Sequence, residues 1–425
     1  MYMINQRYTA FTAVRIIISL TILFVINVIC IVNVHAEPIR EQTVQISEQT
    51  AEGESVDEHS VEEEIIDEQT QTDEIRSIGN QLKKYSNDSI KEIIPDYNPD
   101  KIISDAAKGN LNFDVNGIIN RALMMLFKEI YINISILLKL AVLIILCAIL
   151  RNLQTSFLSK SVGELAFYIC YIVLVSILLV SFNTAVKAAI EIIDSMVNFM
   201  YASIPVLITL LISSGNITSG GVLQPVLITI VQVCATMIKN IFIPLIILST
   251  VISVVDNISD KVQVSRLVGF LKHITTWSLG IILTVFIAVV SLQGSLGAVV
   301  DGVTSKTAKF AIGVFIPVAG KYLADAADAV VGCTLLIKNA VGVAMMVGVI
   351  VICLFPLIKM LAIIALYRMT CVLMEPVAES RIIKCISDVA NSMTFVLGIV
   401  ASVAFMFLIT LTALITASNL SAMIR

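Results

Sequence analysis

ISILLKLAVLIILCAIL, residues 134–150, is the stretch on which the fold turns. It carries a single charge, Lys139, and its apolar residues follow one another without the alternation of a half-buried strand. Wound as a helix at 1.5 Å per residue it covers about 25 Å, close to the ~30 Å of hydrocarbon in a bilayer. Apolar runs of the same kind recur at 165–182, 197–213, 222–238, 240–255, 277–296, 340–358, 360–374 and 393–417. The composition agrees: 57% of the 425 residues are apolar and 14% charged, against about 25% charged in soluble domains. One soluble globular enzyme is excluded. The reading is an all-α, polytopic helical membrane protein of about seven to nine spans, since helices satisfy their own backbone groups in lipid.

Working outward, the run from Val222 to Val255 is interrupted by Lys239-Asn240, for which two spans joined by a tight hairpin are one solution. The pentapeptide Pro205 to Thr209 recurs as Pro225 to Thr229, with a Ser/Gly-rich segment from Ser213 to Gly221 between. This predicts either Pro-broken helices around a flexible loop, as transporter sites use, or a chance repeat in an apolar sequence. Lys139 sits near a helix end, where its head can snorkel to the interface. Arg151, Lys160, Lys261, Arg266 and Lys272 place the loops after the first span and after Val255 in the cytoplasm. Beyond residue 297 the bias no longer gives one answer, because Lys306, Lys309, Lys321 and Lys338 precede one span while Arg381 and Lys384 follow another.

Toward the amino terminus, Arg7 and Arg15 lead into an apolar run ending at Val34-His35-Ala36, the pattern of a secretory signal peptide over 1–36. Its length also suits an uncleaved anchor. Residues 37–76 hold fourteen acids against two bases, whereas 77–425 hold eighteen against twenty-four. So acidic a stretch, poor in apolar residues, reads as a disordered extracytoplasmic arm. Residues 77–128 return to helical spacing and read as a small helical extracytoplasmic segment, followed by a multi-span membrane domain over 129–425. Basic residues stand singly between apolar runs and form no exposed stripe, so nucleic acid is excluded as a partner and the lipid bilayer is expected.

Catalytic and cofactor motifs are missing from the sequence. The eight cysteines form no C-x-x-C pair, the three histidines no H-E-x-x-H helix, and 37–128 has no cysteine for a disulfide framework. Gly302-Val-Thr-Ser-Lys-Thr307 has Val303 where a phosphate-binding loop needs lysine. No cofactor, no metal and no enzymatic activity are expected. The candidate functional residues are instead charges in or beside spans, since such groups face protein or water. They are Asp301, Lys306, Lys309, Lys321, Asp325, Asp328, Lys338 and Asn339, all within 301–339, and Arg368, which interrupts a short run. Lys321, Asp325 and Asp328 are spaced four then three and share one helical stripe. The segment reads either as an amphipathic connector at the membrane surface or as a re-entrant element that lines a conduit or docks a partner.

The same segment carries a family resemblance. Asp301-Gly-Val-Thr-Ser-Lys-Thr-Ala-Lys-Phe-Ala311, Phe315-Ile-Pro-Val-Ala-Gly320 and Leu336-Ile-Lys-Asn-Ala-Val-Gly342 resemble the stage III sporulation protein AE family. Trp277 to Gly280, Ser291 to Gly294 and Cys353 to Pro356 add to it, and the likeness runs from about residue 77 onward. The resemblance implies a non-enzymatic subunit of the secretion-like channel complex that endospore-forming bacteria build between mother cell and forespore. It implies other membrane subunits and a separate cytoplasmic ATPase as partners, and a place in the mother-cell membrane surrounding the forespore. It carries over no catalytic residue. A stand-alone secondary transporter is the alternative that the residues themselves leave open.

Overall fold

A computed structural model describes residues 79, 80, 83, 98–107, 115–156, 160–257, 264–315 and 320–424. Residues 1–36, read above as a signal peptide, residues 37–76, read as an acidic arm, and most of 77–97 lie outside the described residues. Two shorter helices, α1 (Pro99–Ala107) and α2 (Val115–Ile132), precede α3 (Ile134–Ser156), α4 (Lys160–Ser213) and α5 (Ile217–Met237). A π-helical turn (Ile238–Phe242) leads directly into α6 (Ile243–Asp256), and α7 (Ser265–Phe315), α8 (Gly320–Met374) and α9 (Ser380–Ile424) complete the order. No strand occurs among the described residues.

Among the described residues, six helical stretches are long and apolar enough to cross a membrane: Ile134–Asn152, Phe167–Ser213, Ile217–Asp256, Ser265–Ile312, Val330–Met374 and Ser380–Ser421. The nine apolar runs of the sequence collapse into these six. Runs 165–182 and 197–213 are both α4, and runs 340–358 and 360–374 are both α8. The hairpin expected at Lys239-Asn240 is replaced by continuous helix. Pro244 has no N–H to offer the carbonyl of Asn240, and widening the helix to a π turn carries the chain past that gap without reversing it. Pro205 and Pro225 likewise lie inside α4 and α5.

The reversal between α4 and α5 is short. Gly215 adopts φ 82°, its N–H donates to Ile212 O at 2.9 Å, and the Asn216 N–H donates to Leu211 O at 3.1 Å. These two bonds form a Schellman ending, which uses glycine because the left-handed backbone crowds any Cβ. Of residues 301–339, expected as a connector or re-entrant element, 301–315 are the last turns of α7 and 320–339 the first turns of α8.

Helix α9 is the centre of the bundle and packs against α4, α6, α7 and α8. Val389, Met393, Val396, Val400, Ala404, Leu411 and Ile415 supply its buried side chains. Around it, α8 also packs on α1, α2, α3 and α4, while α7 packs on α5 and α6. The many β-branched Ile and Val residues of these helices lower helix propensity in water, but in lipid an unpaired peptide group costs more than the propensity they forgo. The spanning stretch of α4 is 47 residues long, about 70 Å of helix, more than twice the hydrocarbon thickness.

Candidate functional site

Polar side chains in this bundle gather in three places. At the end where α6 stops and α9 begins, Ser253 Oγ and Asn257 Nδ2 both donate to Asp388 Oδ2, at 2.8 and 3.0 Å. Asp256 accepts from the Val264 N–H at 2.8 Å and faces Lys384 at 3.5 Å. Arg151 at the end of α3 lies 3.8 Å from Glu379 and over the Phe167 ring, and Lys272 lies over Phe395 at 5.8 Å. These contacts tie the ends of α3 and α6 to the starts of α4, α7 and α9.

The opposite end holds three of the residues singled out in the sequence. Asp301 on α7 is 3% exposed, and its carboxylate accepts from the backbone N–H groups of Thr218 and Ser219 at 2.8 and 2.7 Å. The first turn of α5 has no intrahelical partners for these donors, so a buried carboxylate from another helix caps it and meets the positive end of its dipole. Close approach makes this possible: a Cβ on Gly297 would stand 2.6 Å from Ser219 Oγ and 3.1 Å from Ser219 Cα. Lys338 is fully buried, with Nζ donating to Ile415 O at 3.3 Å. Its neighbour Asn339 donates from Nδ2 to Asn419 Oδ1 at 3.2 Å.

The remaining candidates are placed elsewhere. Lys306 and Lys309 lie one to two turns beyond Asp301 on α7, the first exposed and the second half-buried. Lys321, Asp325 and Asp328 occupy the first turns of α8. Arg368 is about 44 Å along α8 from Asn339 and donates to Asn391 Oδ1 at 2.5 Å. The structure thus gathers Asp301, Lys338 and Asn339 at one end of the bundle and leaves Arg368 at the other.

The third place lies partway along the bundle and was missed in the sequence. Asp194 on α4 pairs with Lys239 of the π turn at 2.5 Å, and Tyr201 donates to Gln232 on α5. Thr184, Lys187, Glu191 and Asn198 lie exposed along the same side of α4, as do Gln232 and Thr236 on α5. Spacings of three, four and seven residues were the available signal for one polar face.

Comparison with known proteins adds the family. A model described as stage III sporulation protein AE matches residues 97–418. The chain belongs to the stage III sporulation protein AE family. This family member is 37% identical over 300 residues to the stage III sporulation protein AE of Bacillus subtilis (strain 168), covering 71% of its own chain and 75% of that relative. No solved structure matches it. The matched region contains α1 to α8 and nearly all of α9, so the polar contacts at both ends of the bundle belong to the family segment, apart from Asn419 just beyond it. The strings that carried the resemblance now have places: Asp301 caps α5, Lys338 and Asn339 bind α9, and Cys353 to Pro356 abuts α4 through a 3.0 Å Cys353 Sγ–Met196 Sδ contact.

Proposed function

We propose that this chain is a non-enzymatic integral membrane subunit of the secretion-like channel complex required for endospore formation, acting in the mother-cell membrane around the forespore. The observation that carries the reading is the family match across 97–418, which spans the helical bundle. Several of the described charges support it, because they are spent on joining helices: Asp301 to α5, Lys338 to α9, Asp388 to α6 and Arg368 to Asn391. Groups used in this way build a scaffold. Force for any movement of cargo then comes from a partner, the separate cytoplasmic ATPase, and other membrane subunits complete the conduit.

Orientation follows from the same contacts. Arg151, Lys272, Arg381 and Lys384 share one end of the bundle, and short basic loops stay in the cytoplasm. The α4–α5 turn and the α9 carboxyl end then face the space between the two membranes, together with Asp301 and Lys338.

The test is isolation of the epitope-tagged full chain from crosslinked sporulating cells in mild detergent. Other membrane subunits of the complex should come with it. A chain that runs alone after crosslinking overturns the reading.

A further inference from the structure

The polar face of α4 and α5 has no occupant among the described residues. Thr184, Lys187, Glu191 and Asn198 follow one another along α4, and Gln232 and Thr236 continue the face on α5. All six lie within the spanning stretches Phe167–Ser213 and Ile217–Asp256. The Asp194–Lys239 ion pair and the Tyr201–Gln232 hydrogen bond hold the two stripes side by side as one surface. On its buried side, Met196 contacts Cys353, which seats this part of α4 beside the uncharged run 340–358 of α8. Nearer its start, α4 exposes Leu165, Ile169, Ile172 and Val180 instead. The change from apolar to polar exposure therefore happens along one continuous helix, between Val180 and Asn183. Hydrocarbon covers the first part well and the second part badly, because charges and amides in spans turn toward protein or water.

We propose that the α4–α5 face is a self-association surface, on which a second copy of this chain packs with Lys187 and Glu191 exchanging partners across the contact. Charge supports a second copy over a partner of one sign. Lys187 and Glu191 are opposite in charge, one turn apart and on the same face. Two copies in one membrane share their orientation and are related by a two-fold axis along the membrane normal, so their α4 helices run parallel. Lys187 of one copy then lies a turn from Glu191 of the other, and symmetry supplies the reciprocal pair. The Asn198, Gln232 and Thr236 side chains extend the contact with hydrogen bonds that a lipid chain does not offer.

Two measurements on the full chain test this. In a chain whose native cysteines are replaced, Asn198→Cys and Gln232→Cys should form disulfide-linked dimers in oxidised membranes at several times the yield of Ile281→Cys or Val285→Cys on α7. Equal yields overturn the proposal. So does crosslinking of Asn198→Cys to other proteins alone, or its modification by a membrane-impermeant maleimide without dimer, which indicates a water-lined wall.

The second measurement keeps the native cysteines and reads mass in mild detergent. The parent chain should be dimeric or larger, Lys187→Glu should weaken association about tenfold, and Lys187→Glu with Glu191→Lys should restore it. A monomeric parent chain, or single and double variants that behave alike, overturns the proposal.

Discussion

Two outward faces of the bundle pass through the spanning region and carry opposite chemistry. On α7, Trp277, Ile281, Val285, Leu292 and Leu296 recur at steps of four and seven residues, each more than half exposed. The hydroxyls among them are already satisfied: Thr284 donates to Gly280 O and Ser295 to Ser291 O, each at 2.9 Å. On α4 and α5 the outward residues are Lys187, Glu191, Asn198, Gln232 and Thr236. A bilayer solvates the α7 face as it would any apolar helix. The α4–α5 face needs protein or water against it. The difference gives the bundle an apolar side and a polar side, which overall hydrophobicity does not reveal.

A lysine placed on each face should break or keep that distinction with the largest effect. Val285→Lys puts an ammonium against hydrocarbon, at a cost of roughly 2.5–3.5 kcal/mol on insertion scales, and membrane-integrated protein should fall severalfold. Thr236→Lys joins an existing polar face and should leave the yield within about twofold of the parent. Quantitative blotting of carbonate-washed membranes reads both. Equal losses at the two positions would erase the distinction between the faces.

Much of the architecture was legible before any coordinates. The length and apolarity of 134–150, repeated along the chain, is enough for an all-helical membrane bundle, because lipid leaves the backbone little other choice. Boundaries were not legible for the same reason. Thr184, Lys187, Glu191 and Asp194 look like a loop between runs 165–182 and 197–213, yet their helical spacing marks one polar side of an unbroken α4. Lys239-Asn240 looks like a hairpin and is a π turn. Among the site residues, Asp301, Lys338 and Asn339 stood out by charge and position. Their partners at Thr218, Ser219, Ile415 and Asn419 are about eighty residues away, and no local pattern reports such a contact.

Removing the carboxylate that holds the two sides in register should have the next largest effect. Asp301 sits on the helix that bears the lipid face and caps the helix that bears part of the polar one. Asp301→Ala leaves the part-buried Thr218 N–H and the buried Ser219 N–H without this acceptor, and about 1–3 kcal/mol is expected for the buried one. Thermal unfolding in detergent should shift down by several degrees. Asp301→Asn keeps one acceptor and should recover part of the loss, whereas an unchanged midpoint in Asp301→Ala would show that α5 needs no cap from α7.

The Asp194–Lys239 pair gives a smaller and more diagnostic effect. Its side chains are 45% and 33% exposed within one chain, and exposed pairs couple by about 0–1 kcal/mol. A double-mutant cycle with Asp194→Ala and Lys239→Ala should return coupling in that range when the protein is monomeric. If a second copy covers the polar face, the same cycle measured on the associated protein should return a larger value, because excluding water strengthens the attraction. Equal coupling in both states would place the pair outside the contact.

The smallest effect expected is on the lipid side, where a hydroxyl should be dispensable. Thr284 is exposed on α7 and donates to the carbonyl of its own helix four residues earlier. That carbonyl already accepts the helical N–H bond, so Thr284→Val removes a second, weaker bond and adds a methyl group that lipid solvates well. The change in stability should stay within about 0.5 kcal/mol, as for surface substitutions that disturb no packed contact. Thermal unfolding in lipid nanodiscs measures it against the parent chain. A loss above about 1 kcal/mol would mean that the hydroxyl meets a protein surface, and the α7 face would then be a second interface of the assembled protein, with hydrocarbon confined to the exposed sides of α3 and the first half of α4.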